Sequence, residues 1–497
     1  MSFDLWPHQQ AAVKAALSAA AEGRSQGLWV MPTGAGKTHA FAALARELGG
    51  PTLVVVHRDE LLQQTVTTFD EVWPEASVGT LPGKGWEQSL VVVATVQPLS
   101  KKLDQFPPDR FGLVVIDEAH HTAARTWQKV VEHFKPRLLL GCTATPERLD
   151  GRGLGEFFGK LLFSYPLGRA MEGGYLVPLR QYAVRTDISL GEVRVRMGDF
   201  AVKDLARVVA VEGRNRAIVE ARQRLAADRP TLVFAVDLAH VEQLRQAFVE
   251  AGVAAAAVTG KMRLKERRNL LKGFREGKYE VMVGCEVLTE GYDEQRIGCV
   301  IMARPTQSRA LYQQCVGRGL RVSPKGGKED CLVLDVVDRP GLYHPLTAAC
   351  LFGGYVEDCG GQDVRDAVEQ ERKLLAVSPL RRTAAQAVRL ESGEDTEWPR
   401  LPDLRNYGIR YPSQTKPATE KQLKALGRFG LEVMRPLTRG EASHLLDECN
   451  WLDCEYPTPP TAAQERLLRM RGKWKSNLTK RQAVRLIAGV MRAARAT

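Results

Sequence analysis

Met31-Pro32-Thr33-Gly34-Ala35-Gly36-Lys37-Thr38 lies between the apolar run Leu28–Met31 and the helix-prone stretch Thr38–Leu48. A strand, a glycine-rich turn and a helix in that order form a site for phosphate. Glycines let successive backbone N–H groups wrap around phosphate oxygens, and the N-terminus of the next helix adds a favourable dipole. Thr33, Gly34, Ala35, Gly36, Lys37 and Thr38 would then surround the phosphates of a nucleotide. Lys37 would reach the β- and γ-phosphates, and Thr38 would ligate Mg2+. The strict pattern G-x-x-x-x-G-K-[ST] has glycine in its first position, where this chain has Met31. A bare turn is the competing reading.

The second segment with chemistry is Asp117-Glu118-Ala119-His120, directly after Leu113-Val114-Val115-Ile116. A carboxylate at the C-terminal end of a strand is where an α/β nucleotide site needs its Mg2+ partner. Asp117 would hold the ion. Glu118 would orient and deprotonate an attacking water. A charged strand end entering a surface turn is the bland reading. It loses weight because the glycine-rich loop comes earlier, in the right order.

Further out, apolar runs recur at Thr52–Val56, Leu90–Ala94 and Leu138–Gly141, then at Thr231–Ala235, Val253–Val258, Glu280–Gly284, Cys299–Ala303 and Cys331–Asp335. Continuous β-branched runs separated by helical stretches imply parallel strands buried on both faces. Two such series predict two α/β domains, residues 1–170 and 171–345, joined around Gly168–Pro178. A length of 497 residues agrees, since about 150 residues per domain gives about three domains. Residues 346–417, with Pro379, Pro399, Pro402, Pro412 and Pro417, read as an accessory segment and linker. With 44% hydrophobic and 26% charged residues, fibrous, disordered and disulfide-miniprotein classes are excluded. No apolar run reaches the roughly 18 residues that a membrane helix needs. The start, MSFDLWPHQQ, lacks the basic-then-apolar pattern of a signal peptide, so a cytoplasmic protein without membrane contact is expected. Nine cysteines without any C-x-x-C predict reduced, mostly buried thiols rather than a zinc site.

In the second series stands Gln314-x-x-Gly317-Arg318-x-x-Arg321. Two arginines three apart would share one helix face and aim together at a triphosphate. Guanidinium groups that meet charge developing on a transferred phosphoryl group are worth ~10³–10⁵ in rate. Taken alone the motif is weak, because such a pair is more often a solvated face.

Together these segments, in this order, resemble the superfamily 2 helicases and translocases over about residues 1–345. The resemblance implies two tandem RecA-like parallel-sheet domains, followed here by a mainly helical C-terminal region. It implies ATP with Mg2+, and catalytic roles for Glu118, Gln314, Arg318 and Arg321. Gln9, in Leu5-x-x-x-Gln9, is similar to the glutamine that reads adenine. His57 and Arg58, with Thr95 and Gln97, resemble the strand-contact motifs of the first domain. Thr143 and Thr145 resemble the motif that couples hydrolysis to movement. Leu288-Thr289-Glu290-Gly291-Tyr292-Asp293 resembles a mixed motif in which Thr289 touches the strand and Gly291 and Asp293 touch ATP. His120 would bond to Gln314 across the cleft. Gly141-Cys142-Thr143-Ala144-Thr145-Pro146, Asp150-Gly151, Gly174-Tyr175-Leu176-Val177-Pro178, Gly198-Asp199-Phe200 and Arg304-Pro305-Thr306 are most similar to the XPB-like, RadD-like and mitochondrial branch-migration group. Two features depart from it: no cysteine cluster follows the motor, and Gln295 stands where a proline often does. The implied function is an ATP-dependent helicase or translocase on duplex or branched DNA, in repair or recombination. An RNA helicase and the motor subunit of a restriction or nuclease system are the alternatives. Phosphate grips alone do not tell DNA from RNA.

A net charge of +12 favours a polyanionic partner, usually nucleic acid, and the resemblance implies DNA rather than RNA. Ten lysines and arginines against one acid lie between Thr461 and Thr497. Residues 418–497 also carry an internal repeat. Thr419-x-x-Gln422 with Gly430 is echoed by Thr461-x-x-Gln464 with Gly472, and each start is a capping box opening a helical hairpin. Lys473, Trp474 and Lys475 suit a backbone contact with stacking; Trp474 equally suits a core anchor. The region reads either as a nucleic-acid contact or as a packing module for protein partners. Removing residues 418–497 is expected to weaken nucleic-acid affinity and flatten the plot of log K against log salt. An unchanged slope in a binding titration would assign the tail to packing or to a protein partner.

Overall fold

The computed structural model describes residues 4–83, 85–145, 154–196, 199–289, 292, 294–323, 327–339, 345–354 and 356–377, with short pieces between 388 and 439. Gly291, Asp293, Asp150, Gly151, Gly198 and nearly all of the basic repeat lie outside the described residues. The chain divides into two compact units, Met1–Glu371 and Arg372–Thr497.

The first unit holds two parallel sheets. The first sheet contains β1 (Gln26–Val30), β2 (Thr52–Val56), β3 (Val78–Leu81), β4 (Val91–Thr95), β5 (Leu113–Ile116), β6 (Leu138–Thr143) and β7 (Leu161–Ser164), in the spatial order β3-β4-β2-β5-β6-β1-β7. Its central strands β2, β4, β5 and β6 are buried along their length because helices cover both faces, while the edge strands β3 and β7 are partly exposed. Val54 and Val56 enter the core that holds Trp29, Phe41 and Phe69, while Leu53 and Val55 enter the core that holds Phe106, Trp127 and Phe158. That alternation is the period-2 geometry of a strand sandwiched between two helical layers. Since β7 pairs with β1, the crossing to the second sheet falls after Ser164, through the short helix Leu167–Glu172.

β8 (Leu179–Ser189) opens the second sheet. A small hairpin follows, β9 (Val195–Arg196) with β10 (Asp199–Phe200). Then come β11 (Thr231–Phe234), β12 (Ala255–Val258), β13 (Val281–Gly284), β14 (Cys299–Met302) and β15 (Cys331–Arg339). The order is β12-β13-β11-β14-β15-β8. Again two cores flank the sheet: Leu232 and Phe234 face one, Val233 and Ala235 the other.

Residues 346–371 differ from the expected accessory segment. The turn of helix Ala348–Phe352 and the start of the helix Val364–Val377 place Ala348, Leu351, Phe352, Val364 and Val368 in the same core as Phe234, Tyr312 and Val333. Glycines spread between these short apolar pieces mask them in composition. Farther along, the expected capping box at Thr419 is present, with Gln422 N–H donating to Thr419 Oγ1 at 3.3 Å and Thr419 N–H donating to Gln422 Oε1 at 2.9 Å. Among the described residues, no helix is long and apolar enough to cross a membrane.

A buried polar knot fastens this extension to the sheet. Asp335, on β15, accepts from Tyr312 Oη at 2.7 Å, Gln181 Nε2 at 3.1 Å and Ala348 N–H at 2.9 Å. Gln181 Oε1 accepts from Cys359 N–H at 2.7 Å. Burial raises the Asp335 carboxyl to about 6, and its three donors hold it from rising further. Tyr312 belongs to the helix Arg309–Gly317, so the knot also anchors the helix that carries Gln314. Tyr312→Phe should destabilise the protein by about 1–3 kcal/mol, because a buried acceptor loses a donor. A denaturant midpoint equal to that of the parent chain would contradict this.

Candidate nucleotide site and interdomain cleft

Parallel strands deliver their C-terminal ends to one edge of the sheet. On that edge β1 runs into Met31, β2 into His57, β5 into Asp117, and β4 and β6 end at Thr95 and Thr143. The topology therefore collects five of the sequence motifs along one edge. Nucleotide sites of α/β sheets lie outside such strand ends.

Gly34 and Gly36 have φ of +88° and +74°, in the region that favours glycine. Gly36 caps the helix Lys37–Leu48, and a Cβ there would sit 2.1 Å from Gln9 Nε2. Lys37 is buried and donates from Nζ to the Met31 carbonyl at 3.2 Å. Met31 stands in place of the pattern's glycine because its side chain is fully buried in the first core. Two side chains from the helix Pro7–Ala21 hold the loop from outside. Gln9 donates to the Gly36 carbonyl at 3.2 Å, and His8 Nε2 lies 2.9 Å from the Ala35 carbonyl. A carbonyl accepts only, so His8 carries a proton on Nε2, and burial lowers its pKa. In this arrangement Gln9 buttresses the loop backbone; the sequence had given it only a contact with the base. His8 had no signal beyond its place beside Gln9. Thr33 is buried and Thr38 half-buried.

Asp117 Oδ1 accepts from Glu118 N–H at 3.0 Å. Burial, then the charge of Glu118, raises the Asp117 carboxyl to about 6, with Lys37 opposing. Glu118 has φ of +48°. A side chain there costs about 1 kcal/mol or more, and such strain is typical of functional positions. His120 touches three groups. Its Nδ1 is 3.5 Å from the Glu118 carboxylate and 3.3 Å from Thr143 Oγ1, and its Nε2 is 3.1 Å from Gln314 Nε2 in the second module. The Gln314 amide donates to Nε2, which leaves the ring proton on Nδ1 for Thr143. Thr143 Oγ1 donates in turn to the Thr145 carbonyl at 2.8 Å. The expected bond between His120 and Gln314 thus spans the cleft.

The helix Arg309–Gly317 meets the first module at several points. Gln313 Nε2 donates to the Ala144 carbonyl at 3.0 Å. A Cβ on Gly317 would lie 2.9 Å from Thr33 Cβ, and one on Gly34 would lie 3.1 Å from Arg321 Cγ. Nearby, Arg267 pairs with Glu60 across the same divide, a pair the motifs did not flag. The two arginines do not share a helix face as expected. The helix ends at Gly317; Arg318 caps it, and Arg321 lies beyond, in a bridge to Leu176. Gly317 and Gly319, on either side of Arg318, leave room that a Cβ would take from Thr33 and Cys331. Arg318 donates to the Thr289 carbonyl at 3.0 Å and the Tyr292 carbonyl at 3.2 Å, and Arg321 donates to Tyr292 at 3.0 Å.

The residues expected at a strand are less uniform. Arg58 Nε donates to His57 Nε2 at 3.2 Å, and the His57 ring lies 4.8 Å from that of His121. Gln97 is exposed, while Thr95 and Thr289 are buried. The Thr289 hydroxyl donates to the Glu286 carbonyl at 2.7 Å.

Residues 2–148 match the family model described as Type III restriction enzyme, res subunit, and residues 214–323 match the Helicase conserved C-terminal domain. The chain belongs to superfamily 2 of the helicases, the class built on two RecA-like modules around such a cleft. Within it, the chain falls in the group of XPB-like and mitochondrial branch-migration helicases. It is 30% identical over 390 residues to IRC3 of Saccharomyces cerevisiae, covering 74% of this chain and 56% of that one. It is 26% identical over 375 residues to the DNA 3'-5' translocase XPB2 of Sulfurisphaera tokodaii, covering 68% of this chain and 82% of that one. Among solved structures it resembles the ATP-dependent Type ISP restriction-modification enzyme LlaBIII bound to DNA, with a TM-score of 0.52 at 16% identity, over 76% of this chain and 30% of that one. This last likeness is one of fold.

Gly36→Ala should abolish nucleotide binding, because the new methyl meets Gln9 and the residue must keep a left-handed backbone. A fluorescent ATP analogue that still binds with parental affinity would show that the loop tolerates displacement.

Proposed function

We propose that this chain is a nucleic-acid-dependent ATPase that couples hydrolysis to movement along duplex or branched DNA, in DNA repair or recombination. One observation carries the reading: the end of a second-module helix, with Arg321 beyond it, rests against the phosphate loop of the first module. A triphosphate at Thr33–Thr38 would lie between Lys37 and Asp117 on one wall and Arg318 and Arg321 on the other. Lys37 would exchange the Met31 carbonyl for phosphate oxygens. Glu118 would take a proton from the attacking water. Arg318 and Arg321 would exchange the carbonyls of Thr289 and Tyr292 for phosphate oxygens as charge develops there. The chemistry of the wall suits Mg2+, since two neighbouring acids, Asp117 and Glu118, face one lysine in a buried setting. Held by Thr38 and Asp117, the ion would neutralise charge on the β- and γ-phosphates. Gly291 and Asp293 would add nucleotide contacts from the second module.

Movement follows from linkage. His120 touches both Glu118 and Gln314, so a change at the water-activating acid is felt by the second module. The cleft would close on ATP and open after hydrolysis, a hinge motion between two states. With His57, Arg58, Thr95 and Gln97 gripping on one side and Thr289 on the other, each cycle would shift one grip along the backbone.

DNA is favoured over RNA by the DNA-acting relative XPB2, while the +12 charge suits either polyanion. The spanned share of IRC3, 56%, leaves room for relatives to carry other regions and other roles. The test is the ATP hydrolysis rate with single-stranded DNA, duplex DNA, forks, four-way junctions and structured RNA, with Lys37→Ala as the baseline. Duplex or branched DNA should stimulate most, and Lys37→Ala should abolish hydrolysis. Stronger stimulation by RNA would favour an RNA helicase. Full turnover in Lys37→Ala would remove the nucleotide site.

A further inference from the structure

Lys328, outside every motif named above, grips the turn that carries the arginines. Its Nζ donates to the carbonyls of Gln295 at 3.3 Å, Arg321 at 2.9 Å and Gly319. An ammonium has three hydrogens and no lone pair, so three carbonyls saturate it. Two of them belong to the turn after the helix Arg309–Gly317. The third, Gln295, follows the segment whose Tyr292 carbonyl receives both Arg318 and Arg321. Lys328 therefore ties the arginine turn to the segment on which the arginine heads rest. The turn is also pressed against the sheet: a Cβ on Gly319 would lie 2.3 Å from Cys331 Sγ and 2.9 Å from Val300 Cγ2. Burial lowers the lysine's pKa, the mark of an ammonium drawn out of water to make these bonds.

We propose that Lys328 is a positioning residue for ATP hydrolysis: by clasping the carbonyls of Gly319 and Arg321 it fixes the backbone from which the Arg321 side chain reaches the triphosphate. The proposal rests on Arg321 meeting the nucleotide. A guanidinium contributes to a transition state only when its base is held, because displacement of about 1 Å can cost about 10²-fold in rate. The clasp holds the backbone and leaves the guanidinium free to trade the Tyr292 carbonyl for a phosphate oxygen. Arginine at 328 would be a poor substitute, since a planar fork does not converge on three carbonyls as a tetrahedral ammonium does.

The test is a double-mutant cycle on ATP hydrolysis by the full chain with duplex DNA present. Arg321→Ala should lower kcat by at least ~10²-fold. Lys328→Met should lower kcat about 10-fold or more with KM for ATP within about twofold, and should lower it less than about twofold further in the Arg321→Ala background. That loss of additivity is what a merely structural lysine would not give. An equal drop in both backgrounds, a change in KM alone, or an unchanged kcat would overturn the proposal. Full activity in Arg321→Ala would instead remove the reading of Arg321 and the proposal with it. Should thermal melting show Lys328→Met unfolded, Lys328→Arg replaces it: an intermediate kcat is expected, and the parental rate would overturn the need for a three-way clasp.

Discussion

Gly317 and Thr33 approach so closely that a single added methyl would bring carbons to 2.9 Å. This contact sets the separation of the two modules at the nucleotide loop, and the surrounding bonds depend on it. Gln314 sits one turn earlier on the same helix and reaches His120 only at that spacing. Arg321, just past the helix end, lies against Gly34 for the same reason. Both sides of the contact need small residues: Gly34 on the loop, Gly317 on the helix. At Gly317 the missing side chain lets the helix backbone meet the Thr33 side chain, and at Gly34 it makes room for Arg321 as well as allowing the positive φ.

Much of the site was legible because its motifs are local. A glycine-rich loop between strand and helix, or an acid pair after a Val-rich strand, keeps its spacing in sequence and in space. The parallel strand runs were legible for the same reason, since burial on both faces leaves a continuous apolar signature. Contacts between distant segments were not legible. No spacing relates Gln181 to Asp335 or Lys328 to Gln295, and these bonds exist only once the second sheet is ordered. Met31 breaks a pattern for a reason visible only in the core it fills. The arginine pair was placed on one helix face by counting residues, and the count did not include the end of the helix at Gly317.

Arg318 and Arg321 are already paired with backbone carbonyls of their own module. A guanidinium in that position is desolvated and oriented before any phosphate arrives. Replacing a carbonyl with a phosphate oxygen exchanges a neutral acceptor for a charged one, so the gain grows as negative charge develops. This favours the transition state over the ground state, which is the condition for a rate effect. The strained Glu118 and the elevated Asp117 on the facing wall are likewise arranged in advance.

The polar knot around Asp335 has a practical side for anyone dissecting this molecule. A fragment ended at the close of β15 would strip the carboxyl of its Ala348 donor, take Cys359 from Gln181, and bare the apolar bed where Leu351, Phe352, Val364 and Val368 rest. Such a fragment would tend to clump, and its idle behaviour would say little about the intact machine. The natural place to cut is past Val377, where the helix Val364–Val377 ends.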